Sequence, residues 1–301
     1  MDEIIKFIEK NNIGKYLENE NLSKHTTYRV GGPAKVLVYP KNRAKLILLL
    51  KELKSKKIKY KILGNGSNTL FSDMEFDGVI IKLDCFDKIT VFKNIIRAEA
   101  GTSLIKLTNL AMKKSLAGLE FASGIPGTVG GAIFMNAGAY KSDMGYIVKS
   151  IKVLTPNFEV ITMTNKELKF HYRTSFLQKN PNYICLEATL QLEHGDKEAL
   201  QEVTKDRRER RLASQPLEYP SAGSVFRNPE NMFAGKLIED LGLKGYSIGG
   251  AKVSEKHANF VINYNNATGQ NIKDLIDLIK SKVKEEYNVD LKVEQEFVNW
   301  E

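Results

Sequence analysis

The sequence predicts a mixed α+β protein of more than one module, and three observations carry that expectation. A strand–helix–strand pattern runs from Val36 to Leu63. Six glycines crowd the 21 residues from Gly118 to Gly138, set among small and apolar side chains. The chain then changes character at Lys197–Ser214, a long charged helical stretch followed by turn-rich segments. At 301 residues, and with roughly 100–200 residues per domain, two or three modules are expected.

The elements follow from local pattern. The N-terminal Met1-Asp-Glu-Ile-Ile-Lys-Phe7 is acidic and amphipathic, unlike the basic start of a signal peptide. Val36–Tyr39 reads as a strand, Asn42 opens a helical pattern through Lys56, and Tyr60–Leu63 reads as the next strand, giving a β-α-β unit. Short strands are expected at Gly78–Leu83 and Ile95–Ala100, and a helix over 102–116 capped by Thr102 or Ser103. Ile147–Leu154 and Glu159–Met163 flank Thr-Pro-Asn-Phe as a hairpin, and Ile184–Glu193 alternates like a further strand. Lys197–Ser214 is expected as a helix leading into a second lobe. Beyond it lie a Pro-bounded segment from Gln215 to Pro229, a short helix near Ala234–Leu241, and glycines at 242, 245, 249 and 250. Gln270–Tyr287 repeats apolar residues at Ile272, Leu275, Ile276, Leu278, Ile279 and Val283, the spacing of an amphipathic helix. Val289–Trp300 reads as a closing strand.

Composition narrows the function classes. With 42% hydrophobic and 27% charged residues the chain is an ordinary globular one. Its longest aliphatic run, Leu46 to Leu50, falls far short of the ~18 residues of a membrane span. Cys85 and Cys185 lie too far apart for metal-ligand spacing, so no metal is expected and a reduced, cytoplasmic setting is the default. The net charge of +9 suits acidic partners. The basic residues are nevertheless scattered, and the densest cluster, Lys205–Arg211, alternates with acids as a solvated helix face does. Nucleic-acid binding is therefore not expected.

The glycine-dense stretch carries the chemistry. Glycine costs entropy on folding, so a dense run of it needs a reason. Backbone amides approaching something flat or anionic supply one. Neither Gly-x-x-x-x-Gly-Lys-Ser/Thr nor a Gly-x-Gly-x-x-Gly opening a helix after a strand is present, which argues against a P-loop and a standard Rossmann site. There are instead two anion-friendly loops about 60 residues apart, Gly64-Asn-Gly-Ser-Asn68 and Gly124–Gly131.

Those loops belong to a series. Arg29-Val-Gly-Gly-Pro33, Leu63-Gly-Asn-Gly-Ser-Asn68, Ser123-Gly-Ile-Pro-Gly-Thr-Val-Gly-Gly-Ala132, Asn136-Ala-Gly-Ala139, Tyr172-Arg-Thr-Ser175 and Ala222-Gly-Ser-Val-Phe-Arg-Asn-Pro229 occur in this order. Together they resemble the UDP-N-acetylenolpyruvoylglucosamine reductase family, over nearly the whole chain from Leu22 to Glu296. The resemblance implies a vanillyl-alcohol-oxidase-like, two-part FAD-binding domain (1–83 and 84–204) and a C-terminal α+β substrate-binding domain (205–301). The short distance from Arg173 to Ser224 is similar to the shorter form of the family, without the loop that carries a substrate-capping tyrosine. It further implies a cytoplasmic monomer using FAD and NADPH to reduce UDP-N-acetylglucosamine enolpyruvate for peptidoglycan precursor synthesis.

Site residues carry over by motif. Tyr28, Arg29, Gly31 and Gly32 are expected to line the flavin, with Gly64, Asn65, Gly66, Ser67 and Asn68 in one loop. Ser123, Gly124, Ile125, Pro126, Gly127, Thr128, Gly130, Gly131 and Ala132 form the other. Asn65 stands where the family has glycine, and asparagine tolerates the left-handed geometry. Arg173 matches the arginine that forks onto the enolpyruvyl carboxylate. Ser224 matches the proton donor; no Gly-x-Ser-x-Gly elbow surrounds it. Glu296 matches the catalytic glutamate, although the family continues Glu-Val-Arg where this chain has Glu-Phe-Val, so Glu294 is the alternative register. Tyr172, Arg227, Asn228 and Asn259 are expected to contact substrate. Two other readings remain: a related FAD-dependent oxidase of the same fold, needing the loops but not Arg173, Ser224 and Glu296 together, and a non-enzymatic basic anion-binding protein.

Overall fold

Residues 1–300 are described by a computed structural model, which divides into two compact units. The first comprises Met1–Glu18, Val36–Asn65 and Gly78–Glu209; the second comprises Asn19–Lys35, Gly66–Asp77 and the chain from Arg210. These units do not follow chain order. Two N-terminal segments join the C-terminal part, so they cut across the three-part division at 83 and 204.

Strands Gly14–Asn21, Pro33–Pro40, Phe76–Lys82 and Tyr60–Leu63 form a four-stranded sheet in that spatial order. The expected β-α-β segment is present, with helix Arg43–Ser55 capped by the Asn42 side chain, which accepts from Lys45 N at 3.1 Å. Its two strands are not neighbours, however. Phe76–Lys82 lies between them and runs parallel to Tyr60–Leu63.

A second sheet orders Val160–Thr164, Val148–Leu154, Ile184–Gln191, Ile95–Glu99 and Ile89–Phe92, antiparallel throughout. The hairpin expected around Thr-Pro-Asn-Phe pairs Leu154 with Val160. Helix Leu104–Lys113 starts at Ser103, whose hydroxyl accepts from Lys106 N at 3.5 Å. One hydrophobic core runs through the first unit, from Ile4 and Leu46 to Ile151, Ala188 and Leu190, all at most 1% exposed.

The second unit has its own core, centred on helix Gly269–Tyr287, which buries Ile272, Leu275, Ile276, Ile279 and Val283 as its periodicity predicts, while Leu278 stays half-buried at the edge of that core. Antiparallel strands Ser247–Ile248, Ala251–Val253 and Val261–Asn263 pack with it, along with helix Ala234–Asp240. The expected closing strand is shorter than its sequence pattern. Only Glu296–Val298 is strand, parallel to Thr69–Phe71, while Val293 makes a single bridge to Phe226. Partners of three residues and one residue limit how far the ladder can extend.

Candidate functional site

The two glycine loops meet in the first unit. The Asn65 carboxamide donates to Pro126 O at 3.0 Å. At Gly64 a Cβ would lie 2.7 Å from Thr128 Oγ1, closer than real Cβ contacts come, so this approach requires glycine. Asn65, the residue that departs from the family pattern, thus holds one loop on the other.

The 123–132 loop is less open than its composition suggests. Val129 N and Gly130 N donate to Thr102 O and Ala100 O at 2.9 and 2.8 Å, and Gly131 N donates to Thr128 Oγ1 at 3.3 Å. Residues Val129–Met135 form a short helix capped by Thr128, a correction to the reading of this stretch as loop. The amides of Asn65, Gly124, Gly127 and Thr128 find no protein partner among the described residues, which suits them to oxygen atoms of a diphosphate. Asn65, Pro126 and Gly131 are exposed, and Ser123, Gly124 and Ile125 are half-buried, so the rim is accessible. Ala132 is packed away, its N–H on Thr128 O at 2.8 Å.

One basic residue here escaped the sequence reading. Lys82 is buried, and its ammonium donates to Gly64 O at 3.0 Å, with an Asp84 carboxylate oxygen at 3.7 Å. The ammonium therefore braces the first loop through Gly64 while paired with Asp84.

Arg173 stands at the tip of a tight turn closed by His171 and Thr174, whose N–H groups each donate to the other's carbonyl at 3.0 Å. Its φ of +53° is a strained backbone for arginine, of a kind that accumulates at functional sites. Two contacts hold the turn. The carboxamide of Asn136, itself left-handed at φ +43°, donates to His171 O at 2.9 Å, and the Arg173 guanidinium donates to Gly138 O at 2.8 Å. The Asn136-Ala-Gly-Ala139 motif thus builds the seat of Arg173. The exposed Tyr172 ring lies 5.1 Å beneath the guanidinium carbon.

The second unit holds the remaining expected residues. The chain re-enters it at Gly66, whose carbonyl accepts from Thr27 N at 3.2 Å, and the exposed Arg29 adopts φ +57°. The expected Tyr28–Gly32 lining needs correction. Tyr28 is fully buried in the core, its hydroxyl donating to Gln295 Oε1 at 3.0 Å, so it does not face a ligand; burial pushes its phenol well up. Gly32 answers to internal packing, since a Cβ there would sit 2.4 Å from Asp73 O and Met74 O. Gly31 is likewise close against Phe71 and Leu22.

Lys292–Val298 runs between the Ser224 segment and the Asn68 loop. Arg227 N donates to Lys292 O at 2.9 Å, and Glu294 N to Val225 O at 2.8 Å. On the other side Glu296 N donates to Asn68 O at 2.8 Å and Asn68 Nδ2 to Glu294 O at 3.2 Å. Asn68, expected at the cofactor, thus directs its Nδ2 at the segment that carries both glutamates. Ser67 is half-buried beside it, and Ser224, Glu294 and Glu296 are half-buried too.

The three other residues expected at substrate in this unit are mostly structural in what they touch. Asn259 is buried, its carboxamide accepting from Phe226 N at 2.9 Å and donating to Phe226 O at 2.8 Å, so it holds the Ser224 segment and faces away from ligand, a further correction. The exposed Asn228 accepts from Ala234 N at 3.1 Å, and Arg227 is half-buried. His257 accepts from Asn259 N at 3.2 Å, and burial holds its imidazole below the ordinary value.

Comparisons with known proteins identify the family and the fold. The profile of the FAD binding domain matches residues 34–164, and that of the "UDP-N-acetylenolpyruvoylglucosamine reductase, C-terminal domain" matches 215–298. The first of these makes the chain a flavoprotein with the two-part FAD-binding fold. UDP-N-acetylenolpyruvoylglucosamine reductase of Caldanaerobacter subterraneus subsp. tengcongensis is 48% identical over 285 residues, spanning 95% of this chain and 94% of that one. UDP-N-acetylenolpyruvoylglucosamine reductase 1 of Bacillus cereus is 43% identical, spanning 99% of both. The crystal structure of UDP-N-acetylenolpyruvylglucosamine reductase from Thermus caldophilus aligns with a TM-score of 0.80 at 32% identity, covering 94% of this chain and 98% of that one. The chain belongs to the UDP-N-acetylenolpyruvoylglucosamine reductase family.

Proposed function

We infer that this protein reduces the enolpyruvyl ether of UDP-N-acetylglucosamine to UDP-N-acetylmuramate, in peptidoglycan precursor synthesis. Family membership over nearly the full chain supports the reaction. The single structural observation that carries it is the closure of the Gly64–Asn65 loop onto Pro126–Thr128, which places free amides in one cradle, with Lys82 bracing Gly64. The donor set fits FAD: Asn65, Gly124, Gly127 and Thr128 supply amides for its diphosphate. When bound, FAD supplies the hydride, having been reduced by NADPH.

The chain's own residues do the rest. Arg173 binds the substrate carboxylate in a bidentate fashion and stabilises the negative charge that grows there during reduction. Ser224 Oγ delivers a proton to the carbon next to the carboxylate. Glu296 orients the substrate carboxylate, or assists protonation. Its N–H is tied to Asn68 O, whereas that of Glu294 is tied to Val225 O, and Asn68 Nδ2 reaches Glu294 O as well. Tyr172, Arg227 and Asn228 are assigned to the substrate, and the half-buried Ser67 and exposed Arg29 to the cofactor.

A division into FAD-binding parts 1–83 and 84–204 and a substrate domain 205–301, the shorter subtype, a monomeric state and a cytoplasmic location form part of the proposal. Among the described residues no helix is long and apolar enough to cross a membrane. The test is product analysis: incubation with NADPH and the enolpyruvyl UDP-sugar should give a nucleotide sugar heavier by two hydrogens, one NADPH consumed per product. NADPH oxidation that yields peroxide and leaves the sugar unchanged would instead indicate an oxidase.

A further inference from the structure

We propose that Gln295 is the positioning residue that sets the Ser224 loop and the Glu296 strand in one fixed register. The inference rests on Ser224 and Glu296 acting as assigned above.

Gln295 is 5% exposed and sits at a bend between two half-buried glutamates, directly before the strand Glu296–Val298. Its carboxamide is fully committed. Oε1 accepts from the Tyr28 hydroxyl at 3.0 Å, while Nε2 donates to Ala222 O at 3.2 Å and Gly223 O at 3.4 Å. The reverse orientation would set the amide oxygen against two carbonyl oxygens, so the pattern itself fixes which end faces the loop. Tyr28 is a firm support, fully buried and with its own carbonyl accepting from Asn263 Nδ2 at 3.0 Å.

The loop needs this support. Gly223 adopts φ +74°, and nothing lies within 4 Å of where its Cβ would be, so side-chain packing does not hold that residue in place. Hydrogen bonds do. Asn259 fixes the chain after Ser224, through Val225 N to Asn259 O at 2.8 Å and the two carboxamide bonds to Phe226. Gln295 fixes it before Ser224. One side chain thereby joins the segment carrying the proton donor to the segment carrying the carboxylate, and a proton donor displaced by about an ångström loses much of its rate advantage.

Gln295→Met keeps the volume and removes the polar bonds. In the full-length, FAD-loaded protein it should leave FAD affinity and reduction by NADPH within about twofold of the parent. Reoxidation by the enolpyruvyl UDP-sugar should fall about 10- to 100-fold, and amide exchange at 222–226 should accelerate. Gln295→Glu adds a readout that simple loosening does not give. Only its neutral acid can donate to the Ala222 or Gly223 carbonyl, so its reoxidation rate should recover as pH falls, relative to the parent. Reoxidation at the parent rate in both variants would overturn the proposal, as would equal slowing of both half-reactions or a flat Gln295→Glu pH ratio. Ser224→Ala, measured in parallel, separates the two levels: if it reoxidises normally the assignment of Ser224 fails and takes this inference with it, whereas slow Ser224→Ala beside normal Gln295→Met sinks the inference alone.

Discussion

A serine hydroxyl is a weak acid, so whatever Ser224 contributes depends on placement, and its flanks show how placement is secured. Carboxamides bracket it, Gln295 on Ala222 and Gly223 and Asn259 on Phe226. Ser224→Ala should leave flavin bleaching by NADPH intact while slowing reoxidation by the enolpyruvyl sugar about 10²- to 10⁴-fold, the usual worth of a general acid; rapid-mixing absorbance of the flavin resolves the two steps. Arg173 shows a second mode of placement, a left-handed backbone held by Asn136 and Gly138. His257 makes a prediction of a different kind. Burial lowers its pKa in the folded protein below the ordinary 6.5. Below that value the unfolded chain binds a proton that the folded chain resists, so this histidine's contribution to stability is present above about pH 6.5 and is lost as pH falls. Urea midpoints should decline less between pH 7 and 5.5 in His257→Gln than in the parent; parallel declines would show that His257 does not titrate this way.

At the scale of elements, the parts with strong local patterns were legible in sequence. The Arg43–Ser55 and Gly269–Tyr287 helices and the hairpin pairing Leu154 with Val160 follow from periodicity, an Asn cap and a turn sequence. The helix Val129–Met135 was not legible, because two of its first three residues are glycine and local propensity opposes it. Tertiary bonds settle the matter, with Val129 N and Gly130 N anchored on Thr102 and Ala100 carbonyls. Strand Gly14–Asn21, Gly-Lys-Tyr-Leu-Glu-Asn-Glu-Asn, escaped notice because it is mostly polar. The contact between the two glycine loops yields an element-scale test. Gly64→Ala would bring its methyl to 2.7 Å from Thr128 Oγ1 and force the loops apart. Isothermal titration should show FAD affinity reduced at least tenfold, with a melting temperature of the flavin-free protein shifted by only a few degrees, as for a ΔΔG near 1 kcal/mol. Unchanged affinity would remove the loop contact from the account of the cofactor site.

Across the whole molecule, chain order and compact units part company. Met1–Glu18, Val36–Asn65 and Gly78–Glu209 make one unit, while Asn19–Lys35 and Gly66–Asp77 join the C-terminal residues in the other. Motif order conveyed the family, but not the supports around the candidate positions. Tyr28 and Gln295 are 267 residues apart in sequence, and Asn136 and His171 are 35 apart. Lys82 meets Gly64 across 18 residues. Such pairs have no local signature, so a single sequence assigned Tyr28 and Asn259 to ligands when folding turns both inward.

The account stands most directly on an anaerobic two-step titration. The purified protein reconstituted with FAD should be yellow, bleach on addition of NADPH, and recover its colour when UDP-N-acetylglucosamine enolpyruvate is added. Failure to retain flavin, or colour that returns only on admitting oxygen, would contradict it.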